Sequence, residues 1–223
     1  MAFDVSPPHD CSLCPRLAAF RAKNRVQYPD FANAPVESFG EGDARLLVVG
    51  LAPGLKGANR TGRPFTGDHA GELLYATLVG LGLANGIYDR RPDDGLSLRD
   101  CAIVNAVRCV PPENKPTPSE IANCRTYLRL AIDAMPRLQT IVALGRIAHD
   151  SVLRALKQTL ASHPFAHGAR HDLGQGAPKL FDSYHCSRYN TNTGVLTPVM
   201  FRDVLRAARD SLAVGEFTTS ARH

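Results

Sequence analysis

Six cysteines in a chain of 223 residues are the first side chains with chemistry to offer. Cys11 and Cys14 form C-x2-C in a segment that ends at Pro15, so both thiolates can reach one metal centre. Cys109 and Cys124 stand on either side of the loop VPPENKPTPSE. They would complete a set of four by pinning the N-terminal segment to a loop and a helix start. Four thiolates suit zinc or an iron–sulfur cluster, and spacing alone does not separate the two. The plain alternative for Cys109 and Cys124 is that they are small apolar interior residues. Cys101 lies at the far end of its strand from Cys109, and Cys186 belongs to another loop, so neither joins the set.

A second group gathers around GLAPGLKGANRTGRPFTGDHAG, residues 50–71. This glycine-rich stretch follows the apolar run LLVVG, yet it holds no G-x-x-x-x-G-K-[ST] phosphate loop. It offers instead the ring of Phe65 and the carboxylate of Asp68, with Lys56, Arg60 and Arg63 nearby. Asn105 interrupts the apolar run AIVNAVR, and His185 sits in SYHCSRYNTNTG. Taken singly, each has an ordinary reading. Asn105 can be a satisfied core amide, Asp68 a helix N-cap, His185 a packing residue and Phe65 part of the core. Taken together, a ring, an amide, a carboxylate and an imidazole make a site that stacks on and reads a flat polar heterocycle.

The elements that must position these groups show in the hydrophobic pattern. Apolar runs over 45–52, 102–108, 140–144 and 180–184 read as strands. Helical spacing follows over 68–83, from 118 to a stop at Pro136, over 146–160, and from Pro198 to about 212. Strands alternating with helices predict a parallel sheet covered on both faces, with ligands beyond the carboxyl ends of its strands. Residues 1–43 read as an irregular N-terminal wrap, 85–99 as a surface loop and 216–223 as a frayed tail, all within one domain spanning 1–223.

The net charge of +5 suits a polyanionic partner. No run approaches the ~20 apolar residues of a membrane span, and the N-terminus has no signal pattern. A cytoplasmic protein with no membrane partner is expected, in which thiols stay reduced and serve metal or redox chemistry. No G-x-G-x-x-G follows a strand, which argues against a flavin or nicotinamide enzyme.

GLAPG…NRTGRPFTGD, VNAVRCVPPENKP and SYHCSRYNTNTG together resemble the family 5 uracil-DNA glycosylases, over residues 9–205. The resemblance implies an α/β fold, a three-layer α/β/α sandwich with a central four-stranded parallel sheet. It implies a monomeric base-excision repair enzyme. Such an enzyme flips uracil, or another deaminated base such as hypoxanthine, out of DNA and hydrolyses its N-glycosidic bond. It also implies a structural 4Fe–4S cluster on Cys11, Cys14, Cys109 and Cys124. By the same resemblance Asp68, His185 and Asn105 are catalytic. Gly50, Leu51, Ala52, Pro53 and Gly54, with Phe65, Asn105 and His185, hold the base, and Lys56, Arg60, Arg63, Ser187, Arg188 and Asn190 face the DNA.

The chain departs from the family pattern at several positions. His185-Cys186-Ser187 stands where His-Pro-Ser is common, and Gly54 where family 5 often has alanine. Leu51 occupies a position that is acidic in family 4, which moves the catalytic burden to Asp68. The alternative from another class is an iron–sulfur nucleic-acid-binding module without glycosylase activity. It accounts for the charge but gives Asp68 and His185 no reason to share a rim.

Overall fold

Every residue of the segments LLVVG, CAIVN and TIVAL is buried. Strands buried on both faces need a helical layer on each side. The computed structural model describes residues 5–212 and builds those layers. The expected tail at 216–223 lies outside the described residues. In chain order come helix α1 (Pro15–Gln27), strands β1 (Phe39–Gly40) and β2 (Leu46–Gly50), and helices α2 (Ala58–Thr61) and α3 (His69–Gly80). Strands β3 (Ala84–Asn85), β4 (Ser97–Leu98) and β5 (Cys101–Asn105) follow, then helix α4 (Pro118–Asp133) and strand β6 (Thr140–Leu144). Helix α5 (Arg146–Ala155), strands β7 (Arg170–His171) and β8 (Lys179–Ser183), and helices α6 (Arg188–Asn192) and α7 (Pro198–Asp210) complete the set.

The main sheet has the order β1-β5-β2-β6-β8-β7. Its four central strands run parallel, as expected, but β1 and β7 add antiparallel edges. The sheet is therefore six-stranded and mixed rather than four-stranded. Two-residue strands have no readable period, and short edge strands leave little backbone open to unwanted pairing. Alternate residues feed opposite layers. Leu46, Val48, Ile103, Val142 and Phe181 pack beneath α3 and α7, while Leu47, Val49, Val104, Ile141 and Leu180 pack beneath α4 and α5. Each side chain buried this fully contributes about 1.5–3 kcal/mol.

Helix starts follow their caps. Thr117 and Glu120 form a capping box at α4, and Thr197 accepts from the Met200 N–H at α7. Helix ends come earlier than the apolar spacing suggests. Gly82 and Lys157 take left-handed backbone at φ 72° and 57° and turn the chain after α3 and α5. Two other expectations are corrected. The N-terminal wrap is not wholly irregular, because Pro15 opens the thirteen-residue α1 directly after Cys14. The segment 85–99 is more than a surface loop, because β3 pairs with β4, and Leu96 and Leu98 enter the core.

Arg63 is also corrected. It does not face DNA: its side chain is buried, with both guanidinium Nη groups donating to Asp94 at 2.8 and 2.7 Å and Nε donating to Thr66 Oγ1 at 2.7 Å. Its guanidinium also lies over the rings of Phe39 and Tyr75. The pair ties the loop after β2 to the segment leading into β4. Removing one partner of a buried ion pair strands the other. Arg63→Ala is expected to cost about 3–5 kcal/mol of stability in a denaturant titration, without changing the salt dependence of DNA binding.

Candidate active site

The chain leaves β2 for β5 on one side and leaves β6 for β8 on the other. That reversal places a crevice above the carboxyl ends of β2 and β6, where open α/β sheets bind ligands. Gly50 ends β2 and pairs with Asn105 at the end of β5. By strand parity both point to the α3/α7 face. A Cβ on Gly50 would collide with Asn105 Oδ1 and come within 2.5 Å of Phe65 Cζ. A bare backbone here lets the amide and the ring close over the strand end. Asn105 is 3% exposed, and among the described residues its amide makes no hydrogen bond.

Phe65 is held in left-handed backbone, φ 52°, which costs a bulky residue about 1–3 kcal/mol. Tyr88 secures it: its hydroxyl donates to Phe65 O at 3.2 Å and accepts from the Gly67 N–H at 3.1 Å. Gly71 in α3 leaves room for the same carbonyl, which a Cβ would strike. The Phe65 ring faces His185, with centroids 6.0 Å apart and planes 26° from parallel. Any flat ligand that stacks on this face of Phe65 has to displace the contact.

His185 follows β8 two residues past its end. Gly145, after β6, has φ 93° and passes close to the His185 Cβ, which lets the loop lean toward β2. The residue keeps some exposure, but its ring is enclosed enough that burial lowers its pKa to about 4. It is therefore neutral at ordinary pH, with one donor and one acceptor nitrogen. Asp68 serves two ends. Its Oδ1 caps α3 by accepting from the Gly71 N–H at 3.2 Å, while Oδ2 faces Gly54 and Gly57. Burial raises its pKa above the ordinary 3.8, and the two capping amides oppose that shift.

Asp68 and His185 line an open cleft of about 730 Å³. Leu51, Ala52, Gly54, Lys56, Ser187 and Arg188 share its wall. Gly50, Pro53, Phe65 and Asn105 lie beneath the wall rather than on it. Arg60 is exposed and donates from Nε to Lys56 O, which braces the loop. Asn190 was expected to face DNA, but its amide donates to His185 O at 2.8 Å, so it positions the histidine loop instead. Ser187 caps the short helix α6, which presents Tyr189 at 73% exposure. Five cleft residues were not singled out from the sequence: Leu55, Gly57, His69, Ala70 and Asn114. His69 adjoins Asp68 and meets Thr191 Oγ1 at 3.0 Å, so adjacency was the available signal. Asn114 arrives from the loop between Cys109 and Cys124, in left-handed backbone that asparagine tolerates.

Cys11, Cys14, Cys109 and Cys124 line one small apolar cavity with Leu17 and Val107. Donors surround the sulfurs. The Arg108 N–H reaches Cys124 Sγ at 3.3 Å, Arg21 Nη1 reaches Cys109 Sγ at 3.5 Å and Asn123 Nδ2 reaches Cys14 Sγ at 3.6 Å. Burial pushes the free thiols up, to about 11 for Cys109 and about 12 for Cys124, so a cationic centre is what would keep them ionised. Among the described residues, no three of these sulfurs lie within 4.8 Å of one another. Tetrahedral thiolates on one zinc ion sit about 3.8 Å apart, from a Zn–S bond of about 2.3 Å. Four thiolates around one cavity suit zinc or an iron–sulfur cluster. No helix among the described residues is long and apolar enough to cross a membrane.

Comparison with known proteins agrees with this architecture. The family model described as "Uracil DNA glycosylase superfamily" matches residues 37–209, from β1 to α7. The chain is similar to a Type-5 uracil-DNA glycosylase of Thermus thermophilus, at 44% identity over 89% of this chain and 92% of the relative. A Type-5 uracil-DNA glycosylase of Pyrobaculum aerophilum is 40% identical over 89% of this chain and 88% of its own. A Type-4 uracil-DNA glycosylase of Archaeoglobus fulgidus is 38% identical over 51% of this chain and 49% of its own. With the sheet, both helical layers and the cleft loops all inside the matched region, the chain belongs to the uracil-DNA glycosylase superfamily.

Proposed function

We propose that this protein excises uracil from DNA by hydrolysing the N-glycosidic bond, with Asp68, Asn105 and His185 as its catalytic groups. One observation supports the reading above others. A carboxylate oxygen and an imidazole meet in one cleft, and beneath it a nearly buried amide that bonds nothing lies against an aromatic ring. A non-catalytic binding module has no use for that convergence.

A duplex hides the target bond, so the base has to be flipped out of the stack and into the cleft. Phe65 stacks on the flipped ring as His185 gives way. The Asn105 amide, both donor and acceptor, pairs with the uracil edge. As the bond from sugar C1′ to the base breaks, its electron pair goes to the base and positive charge grows on the sugar. Neutral His185 donates a hydrogen bond to a base carbonyl where negative charge collects. One preorganised donor of this kind contributes about 3–4 kcal/mol. Asp68 Oδ2 faces the cationic sugar and orients the water whose oxygen bonds to C1′ and whose proton passes through the carboxylate to the departing base anion, as a carboxylate acts in glycoside hydrolysis. Leu51 leaves that part of the wall apolar. This favours tolerance of other deaminated bases such as hypoxanthine.

Lys56 and Arg188 bind phosphates and give affinity without sequence preference. The four cysteines would hold a 4Fe–4S cluster, a reading supported by their shared cavity and by the donors around their sulfurs. Such a cluster is a structural clamp between the N-terminal segment and α4. Arg21, Arg108 and Asn123 supply the hydrogen bonds around its sulfurs.

Single-turnover release of uracil from an oligonucleotide is expected to fall at least ~10²-fold in Asp68→Ala and in His185→Ala, the scale of one catalytic group. Unchanged rates in both variants would overturn the residue assignment. The rate should fall on acidification as Asp68 takes up a proton, above its ordinary value of 3.8, with no inflection near pH 6.5. An inflection at 6.5 that His185→Ala removes would show a histidine that titrates normally. In stability the sign is the same. Below about 6.5 the unfolded chain binds a proton at His185 that the folded chain refuses until about 4, so stability drops across that window. Anaerobically purified protein should be brown and contain about four irons per chain, lost in Cys109→Ser. A colourless protein holding one sulfur-bound zinc defeats the cluster while leaving the glycosylase reading intact.

A further inference from the structure

The face of β8 turned away from the cleft has its own group of reactive side chains. Asp182, in β8 between Phe181 and Ser183, is fully buried. Its Oδ1 lies 2.7 Å from His149 Nδ1 on α5, and its Oδ2 lies 2.9 Å from His171 Nε2 on β7. One donor atom from each of the three residues lies within 4.8 Å of the other two. The other ring nitrogen of His149, Nε2, sits 2.9 Å from the carbonyl oxygen of His163. A carbonyl only accepts, so Nε2 must hold the hydrogen. Neutral His149 then turns the lone pair of Nδ1 toward a carboxylate oxygen. Two lone pairs at 2.7 Å repel unless a positive ion lies between them, and that ion is either a proton or a metal.

We propose that His149, His171 and Asp182 bind a divalent transition-metal ion of the zinc type, at a site separate from both the cysteines and the cleft. Two imidazoles and a carboxylate suit zinc, cobalt or nickel, whereas magnesium and calcium prefer oxygen throughout. The His163 carbonyl is the outer partner that ligating histidines commonly have, and it fixes which nitrogen faces the ion. Zinc holds nitrogen and oxygen ligands at about 2.0–2.2 Å, which places them about 3.4 Å from one another. Opening the present contacts by less than about an ångström reaches that spacing. A buried carboxylate also needs a compensating charge. Among the described residues neither lysine nor arginine pairs with Asp182, and Arg170 lies over the Phe181 ring instead. A divalent ion supplies the charge with both imidazoles neutral. It would tie α5, β7 and β8 together three residues before His185, as a structural centre.

The test counts metal and reads stability. Purified protein is analysed for zinc by mass spectrometry, dialysed against a chelator, and melted with and without added zinc chloride. About one zinc per chain beyond the cysteine-bound metal is expected. Zinc at a hundredfold excess over its Kd should raise the melting temperature by about 5–10 °C. His171→Gln should lose both effects while keeping its far-ultraviolet circular dichroism, and Cys11→Ser should keep both. No zinc uptake and no thermal shift would overturn the proposal and leave a proton in the gap, with His149 an imidazolium. Zinc lost in Cys11→Ser but kept in His171→Gln would overturn it as well. Should His171→Gln fail to fold, zinc-edge X-ray absorption of the unaltered protein decides. A nitrogen and oxygen shell at about 2.0–2.1 Å supports the site, and a shell of sulfur alone at about 2.3 Å refutes it.

Discussion

The cleft depends on an absent side chain. Gly50 ends the central strand, and Phe65 and Asn105 both approach closer to it than any Cβ would allow. The ring, the amide and the strand end therefore form one contact whose geometry is set by backbone. The rest of the site is arranged around it. Asp68 comes in on the first turn of α3 through its own cap, and His185 leans in over Gly145. Asn190 holds the carbonyl of His185. Rigid elements thus aim each polar group, while the bond-making atoms stay open to a ligand. This is the preorganisation that electrostatic catalysis requires.

Strand β8 is used on both faces. Phe181 packs on the α3/α7 side and His185, just past the strand end, lines the cleft, while Leu180 and Asp182 serve the α4/α5 side. The two-residue period of a strand separates two kinds of chemistry within six residues. It also couples them mechanically, because whatever fixes Asp182 fixes the strand that delivers His185.

Much of this was legible in the sequence, for identifiable reasons. Continuous Val, Leu and Ile runs marked the parallel strands, and the prolines at 118 and 198 marked helix starts. Long-range pairing was harder. Arg63 looked like one more loop cation, because its partner Asp94 lies far along the chain and only folding brings them together. Asn190 looked like a polar loop residue for the same reason. The edge strands β1 and β7 are too short to show a period. Helix α1 was hidden because its buried residues include Arg21 and Asn24, which no apolar stripe would reveal. Among the site residues, Asp68 satisfied both of its readings at once, as cap and as cleft carboxylate. His69 and Asn114 were missed because neither residue type is unusual where it stands.

The hydroxyl of Tyr88 joins the backbone of Phe65 and Gly67 to the small hairpin at β3 and β4. The exposed tip of that hairpin, residues 89–93, lies outside the main sheet, where insertions and shortenings are cheap in free energy. A change of length there alters no wall of the cleft directly, yet through Tyr88 it moves the Phe65 ring that faces His185. Selectivity among bases can therefore drift through evolution at a segment that never meets the nucleotide, with the groups that break the bond left untouched.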